Sequence, residues 1–421
     1  MPADLSAATE GWSPLPELGL AGLGGRRAAV LDHLSPYRDF RALRDPSDLP
    51  PMVVPRWRFL LAEADELLRQ TDPVAHRVVA RSVRSVVPVE GVGALRVVSA
   101  SVPNAFGAVT MSLPDDALSL AATLVHEVQH QLLTAVGDLV PLLAPTEQSP
   151  EPRYFAPWRS DARPLRGLLF GAHAFAAVAS FWRGCRRSKG ERADFEFAVH
   201  RWQVRTALAA LCNASGLTEA GGIVVQSLAE LARGWSAEPV DGQAGELAEL
   251  CCRDQSASWR AAHLVVDGGR ADDLAQRWLA GRPAPSNLPP SRMAAPRTAP
   301  RADARTWLAR LWITDQHAFK QVWAELDAGG VHPLGIVGAT AADAALIAGD
   351  TRGALVSYRE GAPALTAWIG MGLAGGTRVA LLVERPELVL ALHTALGRRG
   401  AQSPGPEALA EWLGSGPTST T

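Results

Sequence analysis

The residues whose types and spacing could do chemistry are His126-Glu127-Val128-Gln129-His130, an HExxH run. On a helix, side chains four apart share a face, so His126 and His130 can grip one metal ion together. Glu127 between them is the residue that serves as general base toward a metal-bound water in zinc peptidases carrying such a run. The flanks predict the helix that this geometry needs. Pro114 suits a first turn, Asp115 and Asp116 suit the positive helix end, and Gly137 followed by Pro141 supplies a stop. Leu118, Ala121, Val125, Val128, Leu132 and Val136 fall three and four apart, which predicts a buried stripe beside the histidines.

Two imidazoles leave a metal short of ligands, because a usable site needs at least a third donor. His173 stands almost alone in the apolar helical segment from Leu168 to Trp182. A lone buried histidine is more often a satisfied core residue, but the shortage of ligands on the first helix makes His173 the candidate third donor. Between the two helices runs a proline-stiffened loop, Tyr154-Phe155-Ala156-Pro157-Trp158-Arg159-Ser160-Asp161-Ala162-Arg163-Pro164-Leu165-Arg166. Its aromatic residues and arginines suit the wall of a cleft, where a guanidinium fork could take a carboxylate; a plain surface loop would look the same.

These residues must be positioned by a mainly α fold with a small β-sheet, of the α+β class. Residues 1–78 read as a helical N-terminal segment. Residues 79–281 read as the HExxH metal-dependent domain, with β-rich runs over Arg81–Val89, Leu95–Val102 and Ala108–Ser112 placing a short sheet before the metal helix. That sheet could dock an extended peptide or serve packing alone. The stretch 282–304, with six prolines between Arg282 and Pro300, reads as a linker. Residues 305–421 return to helices, and Ala342 to Tyr358 has the texture of one tetratricopeptide-like hairpin in a C-terminal module for packing or partner contact.

At 421 residues with 47% hydrophobic composition, the chain can bury a large core. A formal net charge of −2 gives no reason to expect nucleic acid or a membrane surface as a partner. Cys185, Cys212, Cys251 and Cys252 have neither CxxC spacing nor a paired framework, which predicts reduced thiols and a cytoplasmic location. The acidic start of the chain does not read as a signal peptide, and no apolar run suggests a bilayer span.

A metzincin would carry glycine and histidine where this chain has Leu133 and Val136, and the acidic residues just downstream sit in or near the proline-rich loop rather than on a following helix. The ordered set His126-Glu127-Val128-Gln129-His130, Asp138-Leu139-Val140-Pro141-Leu142, Tyr154-Phe155-Ala156-Pro157-Trp158-Arg159, Arg163-Pro164-Leu165, Gly167-Leu168-Leu169-Phe170-Gly171 and Phe181-Trp182-Arg183 resembles the HExxH-type, 2-oxoglutarate-dependent peptide β-hydroxylases of ribosomal peptide natural-product pathways. The resemblance runs from about Ser99 to Leu231. It implies Fe(II) at His126, His130 and a third ligand, for which His173 is the candidate, with 2-oxoglutarate as co-substrate. The oxo acid's distal carboxylate would be met by Arg163, with Arg166 and Arg201 as the next choices. It also implies a precursor peptide as substrate, a radical SAM maturase of the same pathway as partner, and a Glu127 that orients rather than takes protons. Two other classes stay open: a zinc metallopeptidase processing a peptide, and a non-catalytic helical peptide-binding protein.

Overall fold

The computed structural model describes residues 8–19, 29–39, 42–46, 48–91, 95–145, 151–235, 237–294, 303–330, 334, 336–361, 365–400 and 404–416. The fold is mostly helical with a small mixed sheet. It divides into two compact units, residues 1–147 with 169–237, and residues 148–168 with 238–421. The division therefore runs through the stretch 79–281 read as one domain.

The first unit holds β1 (Glu17–Leu18), β2 (Ala29–Leu31), α1 (Val53–Thr71), α2 (Pro73–Ser82), β3 (Ser85–Val89), β4 (Ser99–Ala100), β5 (Ala108–Ser112), α3 (Ala117–Leu139), α4 (Leu165–Leu211) and α5 (Glu219–Trp235). Its strands form one five-stranded sheet in the order β1-β2-β3-β5-β4. β2, β3 and β5 run parallel, while β1 and β4 are antiparallel edges. The lead-in expected to be only helical thus contributes two strands. Ala29 and Leu31 alternate inward on β2, a period too short to stand out within the sequence around it. The β-rich run expected from Arg81 begins later. Asp72 accepts from the Ala75 amide at 2.9 Å and Pro73 opens the first turn, so α2 runs on to Ser82.

Helix α3 packs against α1, α2 and the strands β4 and β5. Its N-cap is Asp116, whose side chain accepts from the Ser119 amide at 2.8 Å. Burial raises the Asp116 pKa, but hydrogen bonding and charge from Arg192 outweigh it and hold the carboxyl below its usual range. The buried face is Leu120, Ala121, Leu124, Val125, Glu127, Val128, Gln131 and Leu133. The expected stripe is correct only in its middle: Val136 is 41% exposed, because the last turns of α3 run past the packed layer.

The apolar segment predicted around His173 belongs to α4, which runs on past His200 and breaks at Gly190 with φ 53 and ψ −137, a conformation open to glycine and strained for other residues. By length and composition α4 could cross a membrane, which the sequence reading did not anticipate; 61% of its apolar window is buried within the fold. All four cysteines are free thiols, three of them buried.

The second unit comprises the loop before α4 and then α6 (Gly242–His263), β6 (Leu264–Val266), α7 (Gly268–Leu279), β7 (Ser291–Met293), α8 (Ala304–Thr314), α9 (Gln316–Asp327), α10 (Ala341–Ile347), α11 (Thr351–Glu360), α12 (Leu365–Gly375), α13 (Leu381–Glu384), α14 (Pro386–Arg398) and α15 (Pro406–Gly414). Part of the proline-rich stretch read as a linker is ordered, because Ser291–Met293 pairs antiparallel with β6; residues 295–302 lie outside the described residues. Leu346, Leu382, Leu388, Leu392 and Leu409 belong to one apolar core in this unit. A buried ionic cluster lies within it too. The Arg305 guanidinium pairs with Asp254 and, through Nε at 2.7 Å, with Asp343, while the Tyr358 hydroxyl donates to Asp343 at 2.6 Å.

Candidate metal centre

Helix α3 brings His126 and His130 together. Their Nε2 atoms are 3.0 Å apart and the rings stand nearly perpendicular, at 83°. Burial drives the His126 pKa down to about 3, with the charges of His130 and His200 pushing the same way. Burial, helped by His173, drives His130 down to about 4. Both imidazoles are therefore neutral at pH 7. With one proton between facing nitrogens they share a hydrogen bond; with none, both lone pairs aim at one point, which is what a divalent cation requires.

The facing residues come from α4. The Phe175 ring meets His126 edge-on, with centroids 4.8 Å apart, and stacks on His200 at 5.2 Å. His200 Nδ1 lies 2.9 Å from Gln203 Oε1, and its Nε2 lies 3.5 Å from Glu196 Oε2, all three residues being buried. His173 is desolvated, which lowers its pKa against the opposing effect of a hydrogen bond to the Gln129 backbone. Its Nδ1 is buried with no hydrogen-bond partner. That nitrogen is an atom a transition metal could take, but the structure does not bring His173 together with His126 and His130 as a set of three. Among the described residues, no three His, Cys, Asp or Glu side chains converge closely enough to hold an ion.

Glu127 is turned toward the sheet. Its Oε1 accepts from the Ser99 hydroxyl at 2.7 Å. Burial raises its pKa, while the Ser99 and Ser101 hydroxyls pull it down. The sequence reading placed none of those serines, nor Phe175, Glu196, His200 or Gln203, at the site. The signal for the last group was His200 with an acid four residues before it; for the serines there was none, because strand register decides what Glu127 meets.

The three arginines proposed for the co-substrate are divided between the two units. Arg163 and Arg166 belong to the second unit and Arg201 to the first. The loop carrying Arg163 closes on itself, with Tyr154 and Arg163 exchanging backbone hydrogen bonds of 2.8 and 2.9 Å. Arg159 and Arg163 both bind Asp161, at 2.6 and 3.1 Å, which holds that carboxyl below its usual range despite partial burial. Arg166 is exposed on the first turn of α4. Arg201 donates to the Trp235 carbonyl at 3.1 Å and lies over the Phe197 ring. In comparisons with known proteins, no family model matches the chain and no curated protein matches it.

Proposed function

We infer that this chain is an Fe(II)- and 2-oxoglutarate-dependent hydroxylase that places a β-hydroxyl on a side chain of a ribosomally made precursor peptide. The observation that carries the reading is the pair of neutral imidazoles on α3 with their Nε2 atoms 3.0 Å apart. The ordered motifs from His126 to Arg183 support iron and an oxo acid over zinc. His126 and His130 would hold the metal, and His173, whose Nδ1 is unpartnered, would have to swing toward them to serve as the third donor. Bound there, Fe(II) would supply the redox chemistry that couples decarboxylation of the oxo acid to transfer of one oxygen atom from dioxygen onto a C–H bond. Because both histidines are already neutral at pH 7, binding would displace at most the proton they share.

Arg163, Arg166 and Arg201 stand as candidates for the distal carboxylate of the oxo acid; replacing the one that holds it would raise KM for 2-oxoglutarate and leave metal binding intact. The paired helices α10 and α11 are read as a tetratricopeptide-like hairpin for packing or for contact with a partner such as a radical SAM maturase. Free thiols at all four cysteines suit a cytoplasmic location.

The test is reconstitution of the metal-free chain with Fe(II) in the absence of oxygen, followed by 2-oxoglutarate. A visible charge-transfer band should appear, and His126→Ala should lack it. Oxygen and peptide should then give a product heavier by one oxygen atom, together with succinate. Cleavage of the peptide with zinc and no oxygen, lost in Glu127→Ala, would establish a peptidase in its place.

A further inference from the structure

Helix α3 carries a second polar line beside the histidines. Glu127 and Gln131 are four residues apart and share a face, turned by one residue from the face of His126 and His130. Each is only 3% exposed. Glu127 takes the Ser99 hydroxyl of β4 on Oε1, and its Oε2 is buried without a hydrogen-bond partner. Gln131 spans the start of β5: Oε1 accepts from the Gly107 amide at 2.9 Å and Nε2 donates to the Ala108 carbonyl at 2.8 Å. Gly107 has φ +94, and a Cβ there would meet Arg84 Cγ at 2.9 Å, so a glycine is required where this amide is offered.

We propose that Gln131, with Glu127 beside it, is a positioning residue that fastens the metal helix to β5 and β4 and so sets the aim of His126 and His130. Side-chain tips lie about 5–6 Å from a helix axis, so a roll of about 10° would displace a histidine nitrogen by about 1 Å. Metal–ligand distances tolerate only about 0.2 Å. Apolar packing alone permits small rolls, whereas hydrogen bonds to a strand at two points one turn apart do not. The His130 face and the Gln131 face are thus one rigid piece: what the sheet fixes through one, the metal meets through the other. The inference rests on the metal-binding reading above and assigns to the glutamate of the HExxH run a task different from the one it has in a peptidase.

The test uses the full chain, metal-free, titrated anaerobically with Co(II), whose visible bands report ligand geometry without turnover. Gln131→Leu, and separately Ser99→Ala, should weaken Co(II) binding about 10–100-fold and alter the bands. Glu127→Gln, whose amide oxygen can still accept from Ser99, should hold its affinity near that of the parent, while Glu127→Ala should not. Val86→Ala, a cavity at a fully buried β3 position that leaves the hydrogen bonds of Glu127 and Gln131 in place, should lower Tm and leave Co(II) affinity unchanged. The inference fails if the Gln131 and Ser99 variants bind as the parent does, if Glu127→Gln loses as much as Glu127→Ala, or if Val86→Ala weakens binding equally. If the parent itself takes up no Co(II), the metal-binding reading goes first and the positioning role with it.

Discussion

Each of the two units encloses a polar cluster, one built on a paired charge and one on uncharged rings. In the second unit, Arg305 is enclosed by Asp254, Asp343, Tyr358 and the Thr366 carbonyl, so its charge is met on several sides. Despite burial, the two carboxylates keep the Arg305 pKa well above its usual value. In the first unit, His126 and His130 face each other with protonation suppressed, and His173 Nδ1 has no partner. A buried cation paired with two carboxylates serves the fold. The two imidazoles on α3 meet each other at Nε2, 3.0 Å apart, and bring no charge that the fold must balance.

If that contrast is right, the clusters should respond oppositely to substitution. The largest effect should come from Arg305→Met, which strands Asp254 and Asp343 in the core and should cost about 3–5 kcal/mol in urea unfolding. A loss under about 1 kcal/mol would mean that the second cluster is no more structural than the first.

The next effect is one of pH on the metal-free chain. The folded pKa values of His126 and His130, about 3 and about 4, lie below the ordinary 6.5, so from pH 6.5 down to about 4 the unfolded chain binds protons that the folded chain refuses. Stability should therefore be complete above pH 6.5 and fall as pH drops through that window, by up to about 1.4 kcal/mol per pH unit for each histidine. Urea midpoints between pH 4 and 7 measure it, and His126→Leu should flatten the slope.

The smallest effect should be the sharpest in sign. Replacing both histidines together, His126→Leu with His130→Met, should leave metal-free stability at pH 7 within about 1 kcal/mol of the parent or raise it, because removing both partners of a buried polar pair is close to neutral. A large destabilisation would mean that the pair is structural.

Much of this was legible in the chain. The HExxH helix is local chemistry: the spacing of His126 and His130 puts them on one face whatever surrounds them, and Asp116 marks its start. The helical character of the segments around His173 and His200, and the strand at Ala108–Ser112, follow from periodicity in the same way. β1 and β2, two and three residues long, leave too short a pattern to read. Arg163 was chosen for its fork, but the sequence neighbour Asp161 is what that fork holds.

By itself the sequence determined which residues could bind a metal and that two of them share a helical turn, because an α-helix fixes neighbours by spacing alone. The tertiary structure decided that both are desolvated enough to be neutral, that Glu127 meets Ser99 on β4, and that Phe175 lies between His126 and His200. Those facts depend on strand register and on the meeting of α3 with α4, contacts between residues 28 to 74 positions apart such as Ser99 with Glu127 and His126 with His200, which no local rule encodes.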